Sequence, residues 1–115
     1  MKIQINTDNN IEGREELAEQ AKATVESTLG RFTGQITRVE VHLSDENSQH
    51  KGGAHDKRCM MEARLEGHQP IAVTEDAETI AQAIDGAADK LKRLVDHTLA
   101  RVKHSTEPLS AHLDD

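Results

Sequence analysis

The sequence predicts an α+β fold in which a four-stranded mixed sheet carries two helices packed on one face, in the order β-α-β-β-β-α. Three observations support this prediction. Apolar residues recur at every second position in four segments, they recur at every third or fourth position in two others, and 115 residues suit a single core. Because Phe32 is the only aromatic residue, we expect that core to be aliphatic.

The first two elements are a short strand and an amphipathic helix. Residues 2–6 alternate, with Ile3 and Ile5 on one side, which predicts a strand with one buried face. From about residue 13 to residue 29 the apolar step becomes four, and Gly30 is expected to cap the C-terminus of this helix. The apolar positions of the helix are Leu17, Ala21, Val25 and Leu29.

Three strands should follow, and the last two should form a hairpin. The second strand begins at Ile36, and the third begins near Arg58, after a polar segment at residues 44–57 that predicts a long exposed loop. A turn at residues 67–69 leads into a fourth strand at residues 70–74. A right-handed crossover should make the first two strands parallel, and the others should run antiparallel. The inward-facing residues should be Val39, Val41, Leu43, Cys59, Met61, Ala63, Leu65, Ile71 and Val73.

The last element is a long helix from about residue 76 to residue 103. Capping oxygens and negative charge at its start should come from Thr74, Glu75 and Asp76. We expect one domain over residues 1–104 and a flexible acidic tail over residues 105–115. The helical spacing is carried by Ile80, Ile84, Ala87, Leu91, Leu94, Val95, Thr98 and Val102.

Composition and charge restrict the function. One aromatic residue is too few for a protein that stacks unpaired bases. Cys59 cannot form an internal disulfide, and no segment resembles a signal peptide or a membrane span, which favours a cytoplasmic protein. The formal net charge of −7 opposes nucleic-acid binding, but residues 90–104 hold five cations and one acid, which leaves this segment at +4 and the remainder at −11.

The basic residues of the second helix form a stripe beside its buried face when the helix is projected at about 100° per residue. This basic stripe consists of Lys90, Arg93, His97, Arg101 and His104. The opposite flank holds Asp85, Asp89, Asp96, Lys92 and Lys103. A stripe about 20 Å long can follow a line of phosphates. The alternative is a solvated face whose cations only complement the helix dipole.

Metal binding and catalysis find little support in the sequence. His50 and His55 flank Gly52 and Gly53 in the predicted loop, but their spacing matches no zinc signature, so we expect no metal and no cofactor. We recognise no phosphate-binding loop, nucleophile elbow or carboxylate pair. The protein is therefore not expected to be an enzyme or to bind a small-molecule substrate.

The string AIDGAADKLKRLV at residues 83–95 closely resembles the AIDGxxDKLxRxL helix of the short ribosome hibernation-promoting factors and the related ribosome-associated inhibitor, a family of ribosomal subunit interface proteins. The opening MKIQINTDNNIE is similar to the start of that family, and the predicted order of elements is the family's own. The resemblance covers residues 1 to about 104. It identifies the sequence as similar to a divergent, acidic member of this family.

The resemblance implies a stress-response factor of stationary phase that binds the small ribosomal subunit in the messenger and transfer RNA channel and inhibits translation. Its basic helix surfaces would contact ribosomal RNA. No dedicated dimerisation domain is expected. Lys90 and Arg93 match the family motif; the further candidates are Lys92, His97, Arg101 and Lys103 in the same region and Lys57 and Arg58 at the third strand. The alternatives are a protein-binding adaptor that lost its RNA surface and a metal-binding protein that uses the histidine loop.

Overall fold

Four strands and two α-helices follow one another in the predicted order. The structure of the protein, a computed structural model, describes residues 1–8, 11, 13–45 and 57–105, the last five by their backbone alone. Most of the predicted 44–57 loop, with His50 and His55, lies outside the described residues, as does the tail after residue 105. The elements are β1 (Lys2–Thr7), α1 (Arg14–Leu29), a 3-10 turn (Gly30–Phe32), β2 (Ile36–Asp45), β3 (Lys57–Leu65), β4 (Ile71–Ala77) and α2 (Ile80–Ser105).

The sheet has the strand order β1-β2-β3-β4, with β1 and β2 parallel and the other pairs antiparallel, which confirms the predicted topology. Both helices pack on one face and contact each other. The opposite side of the sheet, here called the open face, is covered by neither helix. The sheet residues buried beneath the helices include Val39, Val41, Leu43, Cys59, Met61, Ala63, Leu65 and Val73, as predicted, whereas Ile71 is only partly buried.

A β-bulge lies near the start of β2. Ile36 and Val39 are both buried, although simple alternation would place residues three apart on opposite faces. The register with β3 shifts between the pairs Ile36↔Leu65 and Arg38↔Arg64, so Thr37 is an extra residue. The Thr37 hydroxyl donates to the carbonyl oxygen of Arg64 at 3.1 Å. The bulge therefore turns the strand so that both apolar side chains enter the core.

Helix α1 ends where the sequence predicts, but in a different conformation. Gly30 occupies the C-cap position with a right-handed φ of −58°, rather than the left-handed conformation that a capping glycine usually adopts. The chain continues into the 3-10 turn, in which the hydroxyl and N–H of Thr33 both donate to the Gly30 carbonyl oxygen. This turn buries Phe32, and Leu29 is fully buried. The turn adds the single aromatic ring to the core.

The junction between β4 and α2 corrects the predicted boundary. β4 continues to Ala77 and α2 begins at Ile80, with the N–H of Gln82 donating to the Thr79 side-chain oxygen at 3.0 Å. Thr79 is thus the N-cap, and the predicted caps at residues 74–76 are wrong. Those residues belong to the antiparallel ladder with β3, which satisfies the backbone groups that face β3. Leu94, predicted to face the core, is 41% exposed.

Candidate nucleic-acid interface

Helix α2 runs back along the sheet from the end of β4. Lys90 lies beside Thr74 and Glu75 of β4. About two and a half turns further on, Leu99 lines a shallow cavity together with Gly34 and Leu65. The C-terminal part of α2 therefore lies at the end of the sheet where β2 begins and β3 ends. Arg101 and Lys103 follow Leu99 in the same helix, and their side chains lie outside the described part of the structure.

Lys90 is held against the edge strand of the sheet. Its Nζ lies 2.8 Å from Oε1 of Glu75 and donates to the carbonyl oxygen of Thr74, also at 2.8 Å. The Lys90 side chain is 45% exposed and that of Glu75 is 29% exposed. Two of the three ammonium donors are thus used within the fold, and Glu75 offsets much of the charge. Lys90 is the least available cation of the basic stripe whose side chain is described.

Arg93 has a partner that is easily exchanged. Its Nη1 lies 3.0 Å from Oδ2 of Asp89, one turn earlier in the helix, and both side chains are more than 60% exposed. An exposed pair of this spacing contributes about 0.5 kcal/mol or less, so Arg93 can transfer to a phosphate at little cost. The contact also shows that the basic stripe is not separated from acids. Glu75 and Asp89 each contact one of its cations.

Two further candidates on α2 have no charged partner within the described part of the chain. Lys92 is partly buried, and His97 is exposed. Asp96, which the projection places on the same flank as Lys92, instead contacts Arg31 at 3.2 Å. Lys92 and His97 can therefore accept an anion without breaking an ion pair.

Lys57 and Arg58 lie at the other end of the sheet. Lys57 pairs in register with Ala77, and its Nζ lies 3.4 Å from a carboxylate oxygen of Asp45. Arg58 points to the open face, where its Nε lies 2.8 Å from Asp76. The two side chains thus occupy different faces, and the structure does not bring them together with the C-terminal part of α2.

Sequence reasoning missed a row of cations on the open face. Lys2 of β1 pairs in register with Arg38 of β2, and Arg38 pairs with Arg64 of β3. Arg38 Nε donates to Glu40 at 2.8 Å, and this hydrogen bond, with the charge of Arg38, holds the pKa of the Glu40 carboxyl below its ordinary value. Alternation alone predicts the face of each residue. It does not predict which residues stand opposite one another, because that depends on register.

The outer face of α1 is acidic. Its exposed side chains include Glu15, Glu16, Glu19 and Glu26, against the two cations Arg14 and Lys22. Glu15 and Glu16 lie in the first turn, where they complement the helix dipole. Within the described residues, the charge of the molecule is thus divided between an acidic α1 and a more basic α2.

Metal ligation and thiol chemistry receive no geometric support here. Among the residues that the structure describes, no three His, Cys, Asp or Glu side chains converge as a metal site. Burial, with the nearby charge of Glu75, raises the pKa of the Cys59 thiol to about 12, which keeps it protonated at neutral pH. None of the described helices is long and apolar enough to cross a membrane.

Comparisons with known proteins give one sequence family and several structural relatives. The sequence model of the family described as sigma 54 modulation protein / S30EA ribosomal protein matches residues 3–103. No curated protein sequence matches the chain. The N-terminal domain of Protein Y from Thermus thermophilus superposes with a TM-score of 0.67 at 20% identity, covering 85% of this chain and 99% of that one. A ribosomal subunit interface protein from Coxiella burnetii gives 0.60 at 16% identity, with 87% and 99% covered. These two likenesses show the fold.

Proposed function

Because the chain belongs to the sigma 54 modulation protein / S30EA ribosomal protein family, we propose that it is a ribosome-associated factor that binds the small ribosomal subunit. The observation that carries this proposal is the family match over residues 3–103, which includes all four strands except the first residue of β1, and nearly all of α2. The finer proposal is that the protein occupies the messenger and transfer RNA channel of idle ribosomes in stress or stationary phase, and so inhibits translation in the cytoplasm. No catalytic step is needed for this action.

The described contacts indicate which cations are available to ribosomal RNA. Arg93 is exposed and held by a weak surface pair, and Lys92 and His97 have no ion pair within the described residues. Arg101 and Lys103 extend the same helix toward the end of the sheet. Lys90 is engaged by Glu75 and would contribute less. We therefore propose that RNA contact is centred on the C-terminal half of α2, after Lys90.

A protein-binding adaptor is the second candidate, and the acidic outer face of α1 favours it. Negative charge repels RNA phosphates but can bind a basic protein surface. The two functions differ in salt dependence. Phosphate contacts release counterions, so RNA binding weakens in proportion to the number of phosphates neutralised.

Co-sedimentation with purified ribosomes and with separated subunits, over a range of salt concentrations, tests the proposal. The variant Arg93→Glu/Arg101→Glu should lose binding to the small subunit. The control Arg14→Glu/Lys22→Glu changes the net charge equally on α1 and should bind nearly as the unmodified protein does. Cell-free translation should be inhibited by the unmodified protein and less by the α2 variant. Equal binding by the α2 variant and the control, with the same salt dependence, would contradict RNA contact through α2.

A further inference from the structure

The open face carries three cations side by side at one end of the sheet. Lys2, Arg38 and Arg64 come from three neighbouring strands and pair directly in register. Strands lie about 4.8 Å apart, so the row spans about 10 Å between its outer Cα atoms. We call Lys2, Arg38 and Arg64 the cross-strand row.

Among the residues that the structure describes, two members of the cross-strand row have no acidic partner. Arg38 donates to Glu40 and to the side-chain oxygen of Gln4, so its charge is offset. Lys2 and Arg64 are exposed, and no carboxylate within the described part of the chain forms an ion pair with either. Like charges directly opposite one another on a sheet destabilise the fold. An anion seated between these side chains would relieve that repulsion.

The β-bulge contributes to this arrangement. Thr37 is the extra residue; without it, the register that begins at Ile36↔Leu65 would place Thr37 opposite Arg64, whereas the bulge places Arg38 there, on the open face. The same backbone segment is fixed by the hydrogen bond from Thr37 to the Arg64 carbonyl oxygen. The strand positions of both arginines are therefore held by the backbone.

The cross-strand row lies at the end of the sheet toward which α2 extends. Leu65, the residue after Arg64, lines the same cavity as Leu99 of α2. The next row along the strands is acidic, with Glu40 opposite Glu62. A polyanion that crossed the whole open face would meet these two carboxylates. Favourable contact between the open face and a polyanion is therefore confined to one end of the sheet. This is the end toward which the part of α2 with Arg101 and Lys103 extends.

We propose that the cross-strand row is a second RNA-binding surface, in which Lys2 and Arg64 contact the sugar–phosphate backbone of ribosomal RNA while α2 contacts it from the other side of the same end. This inference rests on the proposed function. A phosphodiester strand is the partner that fits, because the row offers cationic donors and no apolar side chain. Contacts with the sugar–phosphate backbone position the protein on the RNA but do not distinguish one RNA sequence from another.

The test uses the full chain with Lys2→Gln/Arg64→Gln, which removes two charges and keeps polar, though shorter, side chains at both positions. Small-subunit binding is measured against salt concentration. The plot of log K against log salt should become shallower by about 1.4 to 1.8 units, which corresponds to roughly 25- to 60-fold weaker binding at 0.1 M salt if binding at 1 M is unchanged. Lys2→Arg/Arg64→Lys keeps both charges and should bind as the unmodified protein does. Arg14→Gln/Lys22→Gln is the charge-matched control and should also leave the slope unchanged.

The possible results separate this inference from the proposed function. If the unmodified protein fails to bind the small subunit, the proposed function is overturned and the inference with it. If the unmodified protein binds, but Lys2→Gln/Arg64→Gln binds equally with the same slope, only the second surface is overturned. Weaker binding with an unchanged slope would assign the row to a ribosomal protein and overturn the RNA assignment. A thermal midpoint that is unchanged for Arg14→Gln/Lys22→Gln, and unchanged or higher for Lys2→Gln/Arg64→Gln because like charges are removed, establishes that both variants fold.

Discussion

Glu75 fills the space that a side chain at Gly86 would need: a Cβ atom on Gly86 would lie 2.7 Å from both Cγ and Cδ of Glu75. The same Glu75 side chain binds Lys90, one turn further along α2. A glycine inside a helix lowers stability by about 1 kcal/mol relative to alanine. Gly86 therefore makes α2 less stable, but it leaves the space that the Glu75 side chain occupies. The glycine of the AIDG string thus has a packing reason.

Gly86→Ala should not stabilise the protein, because the gain in helix propensity is offset by displacement of Glu75. In the Glu75→Ala background the same substitution should raise the free energy of unfolding by about 1 kcal/mol, because the obstructing side chain is gone. Urea denaturation of the four proteins in this double-mutant cycle measures the coupling. Additive effects of the two substitutions would contradict the close packing.

Lys90 and Arg93 should differ in their effect on stability. Lys90→Ala leaves Glu75, a half-buried carboxylate, without its partner and removes a hydrogen bond to Thr74, so we expect a loss of about 1 to 2 kcal/mol. Arg93→Ala removes only an exposed pair with Asp89 and should cost about 0.5 kcal/mol or less. The two variants lose the same formal charge, so each controls for the other in chemical denaturation. Equal losses would show that the Lys90 contacts contribute nothing specific.

Asp89→Asn should strengthen binding to the small subunit by up to about twofold at low salt, because it frees Arg93 from a carboxylate pair that contributes about 0.5 kcal/mol or less. Asp85→Asn is the matched control. Asp85 is exposed on the same helix and has no ion pair within the described residues, so its substitution tests the effect of net charge alone. Co-sedimentation of both variants at several salt concentrations measures the difference. An equal gain in both would reflect net charge rather than release of Arg93.

Stability should fall in alkaline solution because of Cys59. Burial raises the pKa of its thiol from the ordinary 9.0 to about 12 in the folded chain. Between pH 9 and pH 12 only the unfolded chain loses this proton. The free energy of unfolding should therefore decrease with pH, by at most about 1.4 kcal/mol per pH unit from this group. Below pH 9 the contribution is constant.

Cys59→Ala provides the control for that pH dependence, since every other titrating group is retained. Its unfolding free energy should fall less steeply above pH 9 than that of the unmodified protein. Parallel curves would rule out a buried neutral thiol as the cause.

Periodicity predicted the order of elements because each amphipathic segment has its own repeat. It predicted the buried faces of β3 and of α1 for the same reason. Periodicity failed where tertiary contacts determine the end of an element. Potential capping residues are found at Thr74, Glu75 and Asp76, but their pairing with β3 keeps them in a strand. The spacing of Ile36 and Val39 signals a bulge only once the register of β2 against β3 is known.

The candidate site was predictable only in part. The helical projection predicts where the cations of α2 lie around the helix, but it does not predict their ion-pair partners. Glu75 lies 15 residues before Lys90 in sequence and belongs to a different element. The cross-strand row joins three strands, so no local pattern reveals it. A glycine within the otherwise strong helical pattern of α2 was the one local signal of a close approach, and it points to Glu75.

The acidic outer face of α1 has a kinetic consequence. A molecule whose charges are divided in this way is rotated by the field of a polyanion before contact. Approaches in which α1 faces the polyanion are repelled, so fewer encounters occur in an unproductive orientation. These carboxylates would then affect the association rate rather than the dissociation rate; they belong to Glu15, Glu16, Glu19 and Glu26. Added salt would shorten the reach of this guidance to within about 10 Å at 0.1 M, and association would slow while dissociation of the seated protein depended on other contacts.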